Sequence, residues 1–402
     1  MLKHSHLPHR RRIPACRALL IAVPAVACAL AVFAPTRTAS ADTTYSTFAC
    51  PCGEAATIQG VRGIAGSSSV YICGALGDAA APSSAFLYKG PLSGGGADGV
   101  WTELVFAGAG VTDVTATSIY GPADGPGDLV RLVGIYQASS TGSRNIGCLY
   151  SGPDTGVGGV WTTITPPHPN YNNCFMHSTM GQLAIGNYDI KGLATGFAFV
   201  YDIETHQSWD LSYPGADGTT IYGIWQDDAE HYTIAGGYHT FKPTELSQAF
   251  ICRWNRVTHT ASDFRSFSAH NQPAASVVTH FEGINGNESG GYNFAADWVS
   301  VDGGLGASLV HLPRLPNGTL GEAAWADIAY PGAELTSANT VIGTTVMGIF
   351  VPSGGSGSMS YVATVVPSGD TCAADLNGDG EVNGQDLTLL LTSWGSCDGV
   401  GP

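Results

Sequence analysis

The chain has 402 residues, 32 of them acidic against 16 basic, for a net charge of −16, and only 12% of its residues are charged. That balance argues against nucleic acid as a partner, because neutralising phosphate needs clustered Lys and Arg. With 54 glycines and 44% apolar residues, the composition fits a turn-dense folded protein better than a disordered one.

Residues 1–41 read as an export signal. Lys3, Arg10, Arg11, Arg12 and Arg17 precede a largely apolar run over 18–34, and Ala39-Ser40-Ala41 offers a small-x-small cleavage site before Asp42. The apolar run continues past Cys28 to Phe33, which argues against lipid attachment at that cysteine. No other stretch approaches the roughly 18 apolar residues that a membrane span needs. Removal of the signal would leave ten basic and 32 acidic residues, net −22. The expected location is extracellular or at the cell surface.

Residues 42–368 repeat. In the copy spanning 197–238, four short runs rich in aromatic and β-branched residues (197–203, 208–213, 219–225 and 232–238) are separated by turn residues and read as strands. The first run recurs as AFLY at 85–88, GCLY at 147–150, AFIC at 249–252, ASLV at 307–310 and MSYV at 359–362. A tryptophan opens the next run in several copies, at Trp101, Trp161, Trp209 and Trp325. The last run carries a small marker residue at 74, 134, 186, 236, 296 and 348, spaced 50 to 60 residues apart. A period of that length with four strands predicts an all-β, six-bladed propeller, because one such sheet buries both faces only between neighbours. The first copy lacks its first strand and the last copy ends on an orphan one at 359–366, so strands from both ends are expected to close the ring. The alternative is a stack of hairpins in a sandwich or solenoid.

Eight cysteines follow the signal. The pairings expected are Cys372 with Cys397, Cys148 with Cys174, and Cys73 with Cys50 or Cys52, with Cys252 a buried thiol.

After residue 368 the composition changes. Residues 375–386 read DLNGDGEVNGQD: Asp375, Asn377, Asp379, Asn383 and Asp386 stand at loop positions 1, 3, 5, 9 and 12. Gly380 takes the turn at position 6, and Glu381 at position 7 would ligate through its carbonyl. Calcium, which takes six to eight hard oxygen ligands, is the cofactor this spacing implies. Leu387, Leu390, Leu391 and Trp394 then fall on one face of a two-turn helix.

This loop and helix, within residues 369–402, resembles one EF-hand type repeat of a dockerin, the calcium-dependent module of secreted polysaccharide-degrading systems. Dockerins carry two repeats and usually a Ser-Thr type pair where Gly384 and Gln385 stand here, so the resemblance implies calcium binding more firmly than cohesin binding. The repeats, with AFVYD, a Tyr-Pro-Gly-Ala turn, YGI and TIAGGY, resemble the secreted HAF-type repeat over roughly residues 45–366, without its histidine. That family implies an extracellular propeller and no particular chemistry.

No GxSxG, HExxH, P-loop or dinucleotide motif is present, and no catalytic residue is assigned. His177, His239, Glu282 and Asp297 fall on or near strands whose counterparts would line a channel. Asp227, Asp228, Glu230 and His231 lie between two strands of one blade and read as a hairpin turn. The recurring tryptophans read as core packing. The expected function is a secreted binding or scaffold protein for a glycan or an extracellular protein partner, with a calcium-ordered docking motif. The competing readings are a glycoside hydrolase acting on polysaccharide and a structural surface protein.

Overall fold

The computed structural model describes residues 43–77, 84–127, 129–193, 196–240, 246–355, 357–366 and 384–392. The expected export signal, Cys372, Cys397 and the expected calcium loop up to Asn383 lie outside them, as does the side chain of Asp386.

The chain opens with β1 (Thr43–Phe48). Blade 1 follows as β2 (Ala56–Gly63), β3 (Val70–Leu76), β4 (Ser84–Gly90) and β5 (Val100–Leu104). Blade 2 holds β6 (Val114–Asp124), β7 (Val130–Ala138), β8 (Ile146–Gly152) and β9 (Val160–Ile164). Blade 3 holds β10 (Tyr171–Met180), β11 (Leu183–Ile190), β12 (Gly196–Asp202) and β13 (Gln207–Leu211). Blade 4 holds β14 (Gly218–Gln226), β15 (His231–His239), β16 (Gln248–Asn255) and β17 (Thr260–Phe267). Blade 5 holds β18 (Ser276–Gly286), β19 (Tyr292–Ser300), β20 (Leu305–Leu312) and β21 (Ala324–Ile328). Blade 6 holds β22 (Ala333–Ile342), β23 (Thr345–Pro352) and β24 (Met359–Val365), completed by β1.

Every blade is an antiparallel meander. The first strand of each touches the first strands of its two neighbours, and the contacts run round from β2 through β22 and back to β2. That closed ring of inner strands defines a six-bladed propeller. The expected closure is present: β1 pairs with β24 from Thr43 opposite Val365 to Phe48 opposite Ser360. The expected phase differs. The sheets break between the tryptophan-bearing strand and the strand after it, so the 197–238 copy comprises the outer half of blade 3 and the inner half of blade 4. A sequence period fixes the repeat length but not where one sheet ends.

Six apolar cores result, one at each interface between blades. Between blades 3 and 4, Leu183, Ile185 and Val200 meet Ile221, Ile234 and Phe250, and between blades 4 and 5, Ile251 and Phe267 meet Phe281 and Phe294. Trp101, Trp161, Trp209 and Trp325 are half-buried and seal the outer edges of four of these cores. Burial of this kind contributes on the order of 25 cal/mol per Å² of apolar surface.

Alternation along the strands corrects two of the three disulfide expectations. Cys73 faces the core between blades 1 and 2 whereas Cys50 faces the one between blades 6 and 1, on the opposite side of the same sheet. Cys148 and Cys174 likewise occupy different cores, the second between blades 2 and 3. Cys73, Cys148, Cys174 and Cys252 are all buried free thiols, and Cys50 is bonded to Cys52.

Downstream, α1 (Gly384–Thr392) begins at position 10 of the loop pattern that the sequence leads one to expect for calcium. Leu387 and Leu391 on it are 55% and 58% exposed.

Candidate functional site

Each inner strand carries a β-bulge at the same height. The register slips between Ile58 and Gly60, Ile119 and Gly121, Met176 and Ser178, Ile221 and Gly223, Phe281 and Gly283, and Ala338 and Thr340. The extra residue of a bulge is left out of the ladder and re-aimed. Here the six extra residues are Gln59, Tyr120, His177, Tyr222, Glu282 and Asn339, and all six line one space on the axis. Four of them are followed by glycine, and the other two by Ser178 and Thr340; at the glycines the next inner strand passes directly behind. A Cβ on Gly60 would stand 2.1 Å from the carbonyl oxygen of Tyr120, and one on Gly121 would stand 2.7 Å from that of His177.

The ring is filled by its own side chains. The His177 imidazole lies 4.1 Å from the Tyr222 ring and 5.3 Å from the Tyr120 ring, centroid to centroid. Asn339 donates to the Ile58 carbonyl at 2.6 Å. One turn further along, the Arg62 guanidinium crosses the axis to the opposite blade, donating to the Ile224 carbonyl at 3.4 Å and lying 5.5 Å above the Trp225 ring. Free space within the ring amounts to about 20 Å³, enough for roughly one water molecule.

Burial governs the charges here. His177 is pushed down to about 3 by loss of hydration and by the neighbouring His280, so its ring is neutral at ordinary pH. Burial also raises the Tyr222 phenol, with the Glu282 carboxylate adding to the rise. His280 donates or accepts at Nε2 with the Thr220 hydroxyl at 2.9 Å, and its Nδ1 stands 2.9 Å from Oε1 of Glu282 without hydrogen-bond alignment. Asp297, on β19, accepts from the Ser337 hydroxyl at 2.6 Å and the Ala338 amide at 2.7 Å. Burial, and then the charge of Glu282, hold its carboxyl well above the usual range.

Of the four residues expected near a channel, His177 and Glu282 belong to the ring. Asp297 stands beside it, tying blade 5 to blade 6, and His239 lies at the end of β15 opposite Gly218. Sequence reasoning missed Gln59, Tyr120, Tyr222 and Asn339. The available signal was the glycine that follows Gln59, Tyr120 and Tyr222; Asn339, followed by Thr340, carried none.

A second and larger space opens between blades 4 and 5, with a volume of about 290 Å³. The β14–β15 hairpin supplies Asp227 and Thr233, and the start of β19 supplies Tyr292. The Tyr292 hydroxyl donates to Asp227 at 2.6 Å, and the Thr233 hydroxyl lies 2.8 Å from both. Burial, with the bond to Asp227, pushes the Tyr292 phenol up to about 12. Asp228, by contrast, caps its own turn, accepting from the amides of Glu230 and His231 at 2.9 Å. The hairpin reading therefore holds for Asp228, Glu230 and His231, while Asp227 belongs to the cleft wall.

On the other side Arg314 donates to the carbonyls of Gly290 and Gly318 at 2.8 Å and approaches the Tyr292 hydroxyl at 3.4 Å. Arg253 and Asp263 complete the polar lining, and Ile251 and Leu320 form an apolar wall. Asp263 has φ 54°, a left-handed conformation uncommon outside glycine, at the bulge in the β16–β17 pairing. Among the described residues, no group of three or more His, Cys, Asp or Glu is placed to hold a metal ion.

The fold and these two spaces define a six-bladed β-propeller with a filled axis and an open cleft between blades 4 and 5. No protein-family model matches the chain, and no curated protein matches it. Among solved structures it is similar to a protein of unknown function from Dyadobacter fermentans DSM 18053, at 8% identity over 80% of this chain and 98% of that one, TM-score 0.49. It is also similar to a xylan β-1,4-xylosidase from Bacillus halodurans C-125, at 10% identity over 66% and 55% of the two chains, TM-score 0.34. The polysaccharide lyase Uly1 gives 11% identity over 76% and 89%, TM-score 0.37. Likeness at this level assigns no activity.

Proposed function

We propose that this chain is a secreted recognition protein that binds a glycan in the cleft between blades 4 and 5, and that calcium orders its C-terminal motif as an attachment element. The observation that carries the reading is the contrast in space: about 20 Å³ on the axis against about 290 Å³ in the cleft. A propeller hydrolase working at its axis would need room there for a sugar ring between an acid and a base. Here Glu282 and Asp297 lie on adjacent strands of one blade, among side chains that fill the space.

The donor set of the tail suits calcium. Asp375, Asn377, Asp379, Asn383 and Asp386 offer hard oxygens, and Glu381 offers its carbonyl. The start of α1 at Gly384 puts Asp386 in the first helical turn, and the exposed Leu387 and Leu391 support a protein partner for that helix.

The test is a glycan array probed with residues 42–402, with and without calcium, and each retained glycan checked for turnover. Binding without turnover is expected, and it should persist in chelator if the cleft is the site. Turnover, or silence on every glycan, would overturn the reading. For the tail, calorimetry with calcium alone should find one ion bound, lost in Asp375→Ala combined with Asp379→Ala; undiminished binding in that variant would count against the loop.

A further inference from the structure

The cleft's charges narrow its ligand, an inference that rests on the recognition reading above. Only ten basic residues stand outside the expected signal, yet Arg253 and Arg314 both line this one space. Among the described residues Arg314 has no carboxylate partner: its donors go to two backbone carbonyls and a phenol. Arg253 has only a long contact, 3.8 Å to Asp228, between side chains 46% and 53% exposed, a pair that water screens heavily. The acids facing them are differently placed. Asp227 is already engaged by Tyr292 and Thr233, which leaves Asp263, whose side-chain partner is the neighbouring Ser262 hydroxyl at 3.2 Å. The lining therefore sets two guanidinium ions, Arg314 with no carboxylate partner and Arg253 with only the long one to Asp228, opposite Asp263 and the hydrogen-bonded but still charged Asp227.

We infer that the cleft takes a small hydroxylated carboxylate of the uronic-acid class. Its carboxylate would face Arg253 and Arg314, since guanidinium presents a fork of donors matched to a carboxylate. Its hydroxyls would donate to Asp263, and its C–H face would lie on Ile251 and Leu320. A space of about 290 Å³ sits at the lower limit of ordinary ligand pockets, which suits one sugar residue and not an oligosaccharide.

The experiment is titration calorimetry of residues 42–402 with D-glucuronate, D-galacturonate and D-glucose at low and moderate salt. A uronate should bind at least ten-fold more tightly than glucose and weaken as salt rises. Arg253→Gln, an exposed change whose fold is checked by thermal unfolding, should weaken uronate binding about ten-fold or more, the usual effect of losing a charge-assisted pair. Equal binding of glucose, or an unchanged affinity in Arg253→Gln, would overturn the inference. A positive array with neutral glycans and no uronate binding would sink this inference while leaving the recognition reading standing, whereas silence on both would remove both.

Discussion

Two residues at the same register position show how one site can hold either a neutral or a titrating side chain. Asn187 on β11 and Asp297 on β19 each follow the marker residue of their blade and reach the inner strand of the next. Asn187 accepts from the Ile221 amide at 2.9 Å and donates to its carbonyl at 3.0 Å, while Asp297 takes the Ser337 hydroxyl and the Ala338 amide. An amide does this at every pH, but the carboxyl does it beside Glu282. Because the folded state raises Asp297 from 3.8 towards about 8, the native protein binds the extra proton between those values, and stability falls as pH rises through them. His177 acts oppositely: lowered from 6.5 to about 3, it leaves the unfolded chain with more protons in that range, so stability rises with pH up to about 6.5. Above 6.5 only the Asp297 effect of the pair remains. Thermal unfolding should therefore show stability falling between pH 6.5 and 8, by up to about 1.4 kcal/mol per pH unit. Asp297→Asn, copying Asn187, should flatten that slope; an unchanged slope would place the titrating group elsewhere. The ring itself was poorly legible in the sequence because its members share no chemistry. Gln, Tyr, His, Tyr, Glu and Asn recur in geometry alone.

At the scale of the element, the inner strand is specified by its bulge and by the small residue after it. Gly60 shows why: a Cβ there would stand 2.1 Å from the Tyr120 carbonyl oxygen, part of a backbone that cannot rotate away. Gly60→Ala should cost about 3 kcal/mol or more by overpacking, read as a lowered denaturant midpoint, and a loss under about 1 kcal/mol would show that the inner strands can separate cheaply. Gly237 has a different partner. Its missing Cβ would meet Cδ2 of His280 at 2.2 Å, so this glycine makes room for the imidazole that bonds Thr220. Strand positions were highly legible: runs read at 219–225 and 232–238 appear as Gly218–Gln226 and His231–His239, since alternating apolar residues and turn glycines act locally. Sheet boundaries were not, because the turn within a sheet and the crossing to the next sheet use the same residues. The cleft escaped for another reason. Tyr292 and Asp227 are 65 residues apart, and nothing local marks them as partners.

For the molecule as a whole, stability is shared among six similar interfaces, and closure joins the last of them to the first. Phe48 on β1 is 3% exposed and sits in the core between blades 6 and 1 with Val362 and Met347. Removing residues 43–48 would strip β24 of its outer partner and leave an open sheet edge. We expect a loss of about 3–5 kcal/mol, the range for deleting a buried aromatic, and self-association visible in sedimentation. A truncated chain that stayed monomeric with an unchanged melt would show that five whole blades and a three-stranded sixth suffice. The expected pairings of Cys148 with Cys174 and of Cys73 with Cys50 or Cys52 failed at this scale too, since near neighbours in sequence can face different interfaces.

The union of β1 with β24 also sets an order of events during synthesis. The Ser360 hydroxyl bonds the Ile58 amide, a partner 302 residues away in the chain. At ribosomal speeds of 5–20 residues per second, the early strand waits roughly 15–60 s for its mate. Throughout that interval the growing domain is an unfinished circle with a bare flank at each end, the form most open to proteases and to other nascent copies. The clasp fastens last, so the final forty or so residues of the repeat region decide whether all the earlier ones are kept.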